Sequence, residues 1–483
     1  MSSDIPEDPE REEWLRSLDE RPEVKPKKKD RPKVEPIIGM SLQLGSHVEL
    51  GKRLIGVLGG PDKVVFDHGF IHVYDERSGL WVQKPEAEIG RILHTFDGAD
   101  VAGKPIRLRN SDVCGARKRA EEEAADDKFF AQAPHGICFR DEFVRLENGI
   151  ILREQHNREH RCRAGLDFDF TPGAAHPKLD EFWSVIFGDC EETERTMRVA
   201  MLQEFMGACM FGLAPHYQNC LCLLGKGDNG KSAVLRIVES VFPRSAVSSL
   251  TPQLWGMRFQ IIALVGSLVN ICNEIPEQEI LAGASFKGII TGDPTPAEIK
   301  HGATFSFTPR AGHIFSANAM PGTRDHSKGF FRRWNILLLS RDLRALPCHK
   351  VDAAKDVIDA ERAAIAAWAI EGASRLQRVG HYTVPPSSEL AKEEWQQSVD
   401  SVQLFVAERC DPANRDRTVN ATNGTTSEEL YREYKSWCVG AGHVAPNRNN
   451  FARRLEAAGY PRVKQADNRY FPLVLKSTGG WGP

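Results

Sequence analysis

Apolar and polar positions along this chain follow two periods, and the switches between them mark its elements. HVELGKRLIGVLGG has helical spacing, and DKVVFDHGFIHVYDERSGLWVQ then reads as two strands ending in an aromatic turn at Gly79, Leu80 and Trp81. Residues 112–132 are helical in composition, and HGICFRDEFVRLENGIILREQ gives short strands with a hairpin turn predicted at Asn148-Gly149. After FDFTPGAAHPKLDEFWSVIF, the stretch ERTMRVAMLQEFMGACMFGL predicts a long amphipathic helix. CLCLLGKGDNGKSAVLRIVESVF then runs strand, glycine-rich loop, helix. GSLVNICNEIPE adds a second buried strand ending in acid, AGHIFSANAMP a third ending at Asn318, and NILLLS a short strand after two arginines. Residues 378–400 hold a proline-containing connector and a helix. SVQLFVAERC, TSEELYREYKSWCVGAG and NRNNFARRLEAAGY follow as three helices, and RYFPLVL as a strand. Three helices and a β-wing predict a winged-helix domain. No repeat appears at solenoid or propeller periods.

Composition narrows the class. A chain of 483 residues, 41% hydrophobic, 27% charged and 8% aromatic, has apolar material for several packed domains. Lys+Arg 63 against Asp+Glu 66 leaves a net charge of -3, so a polyanion would be held by local basic patches and not by bulk charge. No run reaches the roughly 18–20 apolar residues that cross a bilayer, and the N-terminus lacks a signal-peptide pattern, so the expectation is a cytoplasmic protein with no membrane partner. The 11 cysteines are scattered, and Cys220 and Cys222 alternate onto one face of a strand, which reads as reduced, buried thiols. His156, His160 and Cys162 have no second pair at zinc spacing. Residues 1–36 are dense in charge and proline and read as a disordered tail, whose Lys25–Lys33 run either touches phosphates or is simply solvated.

The strongest chemical signal is Gly225-Lys226-Gly227-Asp228-Asn229-Gly230-Lys231-Ser232, a full GxxxxGK[ST] match between a strand and a helix. Its glycines let backbone N–H groups turn in around a β-phosphate, the helix N-terminus adds its dipole, Lys231 reaches the β and γ oxygens, and Ser232 ligands Mg²⁺. Glu274, about forty residues on, reads as the general base and a Mg²⁺ contact partly through water, with an acid capping a helix as the plainer reading. Asn273 stands beside it where many phosphate-loop enzymes carry a further acid. Asn318 either orients the attacking water or is a structural turn residue. Arg332 and Arg333 precede an apolar strand and suit an arginine finger aimed at a neighbouring subunit.

The ordered set GKGDNGKS, LVNICNE, TGDPTPAEIKHG, FSANAMP and GFFRRWNILLLS resembles the superfamily 3 helicases, ring-forming AAA+ ATPases of viruses, phages and plasmids. Within them the chain is most similar to the poxvirus and phage type primase-helicase family, over roughly residues 45–475. The resemblance implies an α/β fold: a P-loop AAA+ core at 191–377, an N-terminal α+β helicase-associated domain at 37–190, a connector at 378–400 and a winged helix at 401–483. It implies ATP and Mg²⁺ as cofactors, Walker A at Gly225, Gly230, Lys231 and Ser232, Walker B at Glu274, a sensor at Asn318 and the finger at Arg333 with Arg332 beside it. Lys287 falls on the helix before the family's DNA loop. Lys300 and His301 fall where viral members carry a hairpin-tip pair lining a channel, although Glu298 replaces a residue often basic there. The function implied is a replicative DNA helicase of a phage, plasmid or mobile element in a bacterial host, a homo-oligomer, as a hexamer, moving 3′ to 5′ on single-stranded and forked DNA. No primase motif is present in the chain, so priming is expected from a separate protein. Arg448, Arg453, Arg462, Lys464 and Arg469 gather around the winged helix, which binds either DNA or a partner protein. An ATP-switched initiator and an RNA-directed ATPase are the competing readings.

Overall fold

The computed structural model describes residues 42–275, 280–281, 283–299, 304–323, 325–346, 352–412, 423–441, 445–465 and 467–476. The tail at 1–36 and the pair Lys300-His301 lie outside the described residues. The chain forms two compact units, one from residues up to 60 together with 85–123, the other from 61–84 together with 124 onward.

The smaller unit is helical. Helix α1 (His47–Val57) starts at Ser46, whose Oγ accepts from Glu49 N, while the Glu49 carboxylate accepts from the N–H groups of Gln43, Leu44 and Gly45. Those hydrogen bonds, led by the one from Gln43, hold the Glu49 carboxyl below its ordinary pKa. The buried stripe Leu50, Leu54 and Ile55 packs toward α3 (Asn110–Glu123), which offers the small residues Ala116 and Ala120, with α2 (Glu86–His94) alongside.

The larger unit begins with three antiparallel strands, β1 (Val64–Asp67), β2 (Phe70–Asp75) and β3 (Leu80–Lys84). The sequence predicts two, and the difference is the turn at His68-Gly69, where φ of 47° and 88° reverses an apparently continuous run. The helix read over 112–132 stops at Glu123. Beyond it Ala125 bridges to Phe66, the Asp126 side chain closes a turn on Lys128 N, and Phe129 and Phe130 pack edge-on to Trp81 at 4.6 and 6.4 Å. Burial of those two rings overrides local helix preference. A second meander follows, β4 (Gly136–Cys138), β5 (Phe143–Glu147) and β6 (Ile150–Glu154), and its last turn is the expected Asn148-Gly149, with φ of 53° and 76°.

Helices α4 (Pro177–Ile186) and α5 (Glu192–Met210) lead into the central sheet. The expected amphipathic helix is instead buried around its whole circumference from Met201 to Met210. It can be so because its two polar residues are satisfied: Gln203 donates to Trp368 O at 2.7 Å, and Glu204, 1% exposed, accepts from Arg375 at 2.8 Å and from Thr383 N and Oγ1 at 2.7 and 2.9 Å.

The central sheet contains β7 (Cys220–Leu224), β8 (Val247–Ser248), β9 (Val269–Cys272), β12 (Gly312–Ala317) and β13 (Trp334–Leu338), in the order β8-β9-β12-β7-β13 and parallel throughout. Helix α6 (Lys231–Ser240) follows β7, and α7 (Gly283–Thr291) follows β9. A hairpin of β10 (Thr295–Glu298) and β11 (Thr304–Phe307) precedes β12, and residues 300–303 join its strands. Each sheet face is covered, as a parallel sheet requires. Leu221, Leu223, Ile314 and Leu337 enter the core formed with α5 and the long α8 (Ala353–Val379). Cys220, Cys222, Phe315 and Trp334 enter the opposite core, so the two cysteines share one face as the alternation predicts. There Trp334, fully buried, stacks on Phe286 at 4.9 Å and meets Trp395 of α9 (Pro386–Val399) at 5.2 Å.

The last segment holds α10 (Ser401–Arg409), β14 (Thr425–Thr426), α11 (Ser427–Gly440), α12 (Arg448–Ala457), β15 (Val463–Gln465) and β16 (Asn468–Phe471). Its strands pair antiparallel in the order β14-β16-β15 around a core of Phe405, Tyr434 and Phe451. The architecture is mixed α/β about a parallel sheet. Among the described residues no helix is long and apolar enough to cross a membrane.

Truncating the sheet's aromatic anchor should be costly. Trp334→Ala is expected to lose about 3–5 kcal/mol, read as a lower urea midpoint in equilibrium unfolding.

Candidate functional site

The carboxyl ends of β7, β9 and β12 converge on one edge of the sheet. The loop 225–232 leaves β7 there, held by Gly225 N donating to Ala317 O at 3.1 Å and Leu339 N donating to Leu224 O at 2.8 Å. Inside it Asn229, 3% exposed, donates from Nδ2 to Leu339 O at 2.5 Å, so the loop is tied to the strand on its far side. Gly230 sits at φ 86°, and a Cβ there would lie 2.5 Å from Ile186 Cδ1. Both the conformation and the space demand glycine.

Lys231 opens α6 and turns its ammonium back into the loop. Nζ donates to Gly225 O at 2.5 Å, Lys226 O at 2.9 Å, Asn229 Oδ1 at 3.2 Å and Asn318 Oδ1 at 3.1 Å. Asn318 in turn donates from Nδ2 to Glu274 Oε1 at 3.0 Å. Lysine, amide and carboxylate thus form one hydrogen-bonded chain across the ends of three strands. Burial lowers the Lys231 pKa, opposed by the pull of Glu274 and Asp228. Ser232 and Asn273 are exposed beside this chain.

A cavity of about 570 Å³ adjoins the loop, lined by Gly227–Ala233, by Phe182 and Ile186 of α4, by Leu343 and Leu346, and by Val357 of α8. Helix α4 is fixed there by Glu361, whose carboxylate accepts from Lys178 N and Leu179 N, both at 2.9 Å. Asp228 pairs with Arg344 at 2.6 Å at the mouth of this space. Sequence reasoning names the loop residues but misses Phe182, Ile186, Leu343, Arg344, Leu346, Val357 and Glu361. The apolar face of α4 is visible in its spacing, but its juxtaposition with the segments after β13 is tertiary and carries no local signal.

The arginines lie elsewhere. They precede β13, whose first residue pairs with Cys220 at the start of β7. At about 3.3 Å per residue the loop is therefore roughly 15–20 Å away along the strands, outside the reach of either side chain. Arg332 is exposed and donates to Gln218 Oε1 at 2.8 Å, whereas Arg333 is 8% exposed and its guanidinium donates to Gly329 O. Burial and the neighbouring Arg332 lower the Arg333 pKa. Lys287 pairs with Asp325 at 2.8 Å, and Glu298 N donates to Arg258 O at 3.1 Å. In the C-terminal segment Arg448, Arg453, Lys464 and Arg469 are exposed, while Arg462 pairs with Glu456 at 2.7 Å.

The donor set fits a magnesium nucleotide and fits no all-protein metal cage. Among the described residues no group of three or more His, Cys, Asp or Glu side chains could hold a metal, whereas Mg²⁺ on a nucleotide needs one or two protein oxygens beside phosphates and water.

A family of unknown function, DUF5906, matches residues 223–333, the span from the loop to the arginines. No curated protein matches the chain. Among solved structures, the A-form apo structure of the NrS-1 C-terminal region is 14% identical, with a TM-score of 0.45, covering 88% of this chain and 99% of that one. An apo structure of NrS-1 residues 305–718 is 12% identical, with a TM-score of 0.44, covering 89% and 99%. Similarity at that level is silent on chemistry.

Gly230→Ala should strain the loop. A loss of about 1–3 kcal/mol is expected from the enforced left-handed conformation and the contact with Ile186, seen as a lowered unfolding midpoint without any nucleotide present.

Proposed function

We propose that this chain is an ATP-dependent replicative DNA helicase of the superfamily 3 type, acting as a ring on single-stranded and forked DNA. The observation that carries this reading is the chain Lys231–Asn318–Glu274, which joins the phosphate loop to the ends of the two neighbouring strands. The strand order, with β7 between β12 and β13, supports an AAA+ core, and the sheet β14-β16-β15, with β14 between the first two of three helices and β15 and β16 after the third, supports a winged helix.

In this reading the phosphates of ATP draw Lys231 Nζ off the loop carbonyls, because a charge-assisted bond to phosphate outcompetes neutral acceptors. Ser232 would hold Mg²⁺ with Glu274 nearby, and the ion would supply charge neutralisation at the phosphates. The base and ribose enter the cavity beside Phe182 and Ile186. Glu274 takes a proton from the water whose oxygen attacks the γ-phosphorus, the bond to the β,γ-bridging oxygen breaks, and ADP departs with the electron pair. Asn318 holds the Glu274 carboxylate in place for that transfer. The arginines cannot serve their own loop, so they would complete a neighbour's site. Arg332 is the one already at the surface, and Arg333 would have to leave the Gly329 carbonyl. The hairpin β10–β11 and the basic residues around α12 would contact DNA, and priming would come from a separate protein.

ATP-dependent unwinding of forks with a 3′ or a 5′ tail tests this reading. Displacement from the 3′-tailed fork is expected, with at least a hundredfold loss of hydrolysis in Lys231→Ala. DNA binding with no displacement under any loading condition would instead favour an initiator. Mixing Lys231→Ala with the double variant Arg332→Ala/Arg333→Ala should restore part of the hydrolysis that each lacks alone. Every mixed interface of one orientation then has an intact loop facing intact arginines. An absence of rescue would rule out shared sites.

A further inference from the structure

A second cavity, of about 230 Å³, lies in the larger unit far from the phosphate loop in sequence and carries a charge pattern that needs explaining. Its walls come from the end of β1, residues 127–136 and 160–164, the loop 265–268 and the segment after β11. Three arginines line it, and Arg161 is engaged by Phe129 O at 3.1 Å and Gln132 Oε1 at 3.2 Å, which leaves the pair Arg163 and Arg310. Arg310 is anchored, donating from one Nη to Ala131 O at 2.9 Å and Ala133 O at 3.0 Å. Arg163 lies over the Phe130 ring at 4.5 Å and forms no hydrogen bond among the described residues. Burial lowers the pKa of both guanidinium groups, and for Arg163 the charge of Arg310 adds to that effect against the pull of Asp67.

Asp67 does not neutralise the pair. It is 1% exposed, and its Oδ2 is taken by His68 Nδ1 at 2.8 Å. His68 Nε2 meets Ser306 O at 3.1 Å, so both ring nitrogens face acceptors, in keeping with a pKa raised chiefly by the Asp67 hydrogen bond. The Asp67 carboxylate is thus engaged by His68, and with Lys128, Arg161, Arg163 and Arg310 against Asp127 the rest of the lining is cationic on balance. Asp67 Oδ1 is buried with no hydrogen-bond donor among the described residues. A buried cationic space that also holds an unmet acceptor is costly unless something fills it.

We propose that this cavity binds a phosphate group that retains a proton. The non-bridging oxygens would take the free N–H groups of Arg163, whose planar fork suits two of them, with Arg310 as the second cation. The P–OH would donate to Asp67 Oδ1. Sulfate and a phosphodiester have no such proton near neutral pH, so the carboxylate selects against both. Inorganic phosphate keeps that proton throughout the neutral range, and a terminal phosphomonoester, such as the 5′ end of a DNA strand, carries it in its monoanionic form, below a second pKa of about 6. The site stands whether or not the chain hydrolyses ATP.

The test uses the full chain with Lys231→Ala, which silences the phosphate loop, and titrates it calorimetrically with inorganic phosphate and with sulfate at equal ionic strength. Phosphate is expected to bind at least tenfold more tightly than sulfate. Arg163→Gln should abolish binding, Arg163→Lys should weaken it while keeping the charge, and Asp67→Asn should erase the preference over sulfate. A dT oligonucleotide with a 5′-phosphate, compared with its 5′-hydroxyl twin, separates the sources. A difference between the twins that Arg163→Lys removes assigns the site to strand ends, and equal affinity assigns it to free phosphate. No phosphate binding, equal binding of sulfate, or an unchanged response in Arg163→Lys overturns the proposal, and the phosphate against sulfate comparison on the parent needs no cavity variant to fold.

Discussion

The position of β7 between two parallel neighbours is the constraint on which the rest of the site depends. Each residue from Cys220 to Leu224 is paired with β13, and from Leu221 onward also with β12. The pairing continues one residue past the strand on both sides, through Gly225 N and Leu224 O. The root of the loop is therefore fixed by backbone hydrogen bonds before any side chain acts. A one-residue slip in a two-sided strand would exchange Cys220 and Cys222 with Leu221 and Leu223 between two differently shaped cores, so the register is specified from both faces. Because β12 and β9 end at the same edge, Asn318 arrives within hydrogen-bond reach of Lys231, and Glu274 within reach of Asn318, without any local motif to bring them there.

Buried polar groups then decide what surrounds that edge. The helix Glu192–Met210 is buried on all sides from Met201 onward, and it tolerates Glu204 there only because Arg375 and Thr383 meet the carboxylate. Glu361, at a break in α8 where φ is -131°, caps α4 in the same manner and so sets the wall of the large cavity. Asn229 ties the loop to Leu339 and thereby to the segment bearing Leu343 and Arg344. Each is a polar residue whose removal would leave a desolvated partner, a larger loss than the bond itself contributes. Rigidity of the site is thus distributed over residues outside the Lys231–Asn318–Glu274 chain.

Much of this was legible in the sequence, for identifiable reasons. The loop reads clearly because its chemistry is local: glycine spacing, a preceding apolar strand and a following helix. Glu274 and Asn318 could be named because each ends an apolar run, which is what the carboxyl edge of a parallel sheet looks like in one dimension. The turn at His68-Gly69 was missed because alternation continues across it, and the helix was extended past Glu123 because Ala124–Gln132 resembles helix until Phe129 and Phe130 are seen against Trp81. The relative exposure of Arg332 and Arg333 was not readable, since adjacent residues before a strand differ only in which way the preceding turn faces. The cavity residues Phe182, Leu343 and Val357 come from three separated segments, and nothing local marks them as neighbours.

The hairpin β10–β11 lies between Glu274 and Asn318 in the chain, so every covalent path from one site residue to the other passes through it. Its second strand leads by Arg310 into β12, which ends at Asn318, while its first strand is pinned at Glu298 to the backbone of Arg258. On its outer side His68 reaches Ser306 O and meets the Phe305 ring at 4.6 Å with the planes tilted by 56°, so the N-terminal sheet grips the same element. A displacement of Asn318 toward or away from Glu274 is therefore carried along β12 to a hairpin that is held from a second side. An element tied at both ends responds by pivoting between its anchors, since packed protein interiors transmit displacement and compress little. That places Asn318 and the two strands of the hairpin on one mechanical line.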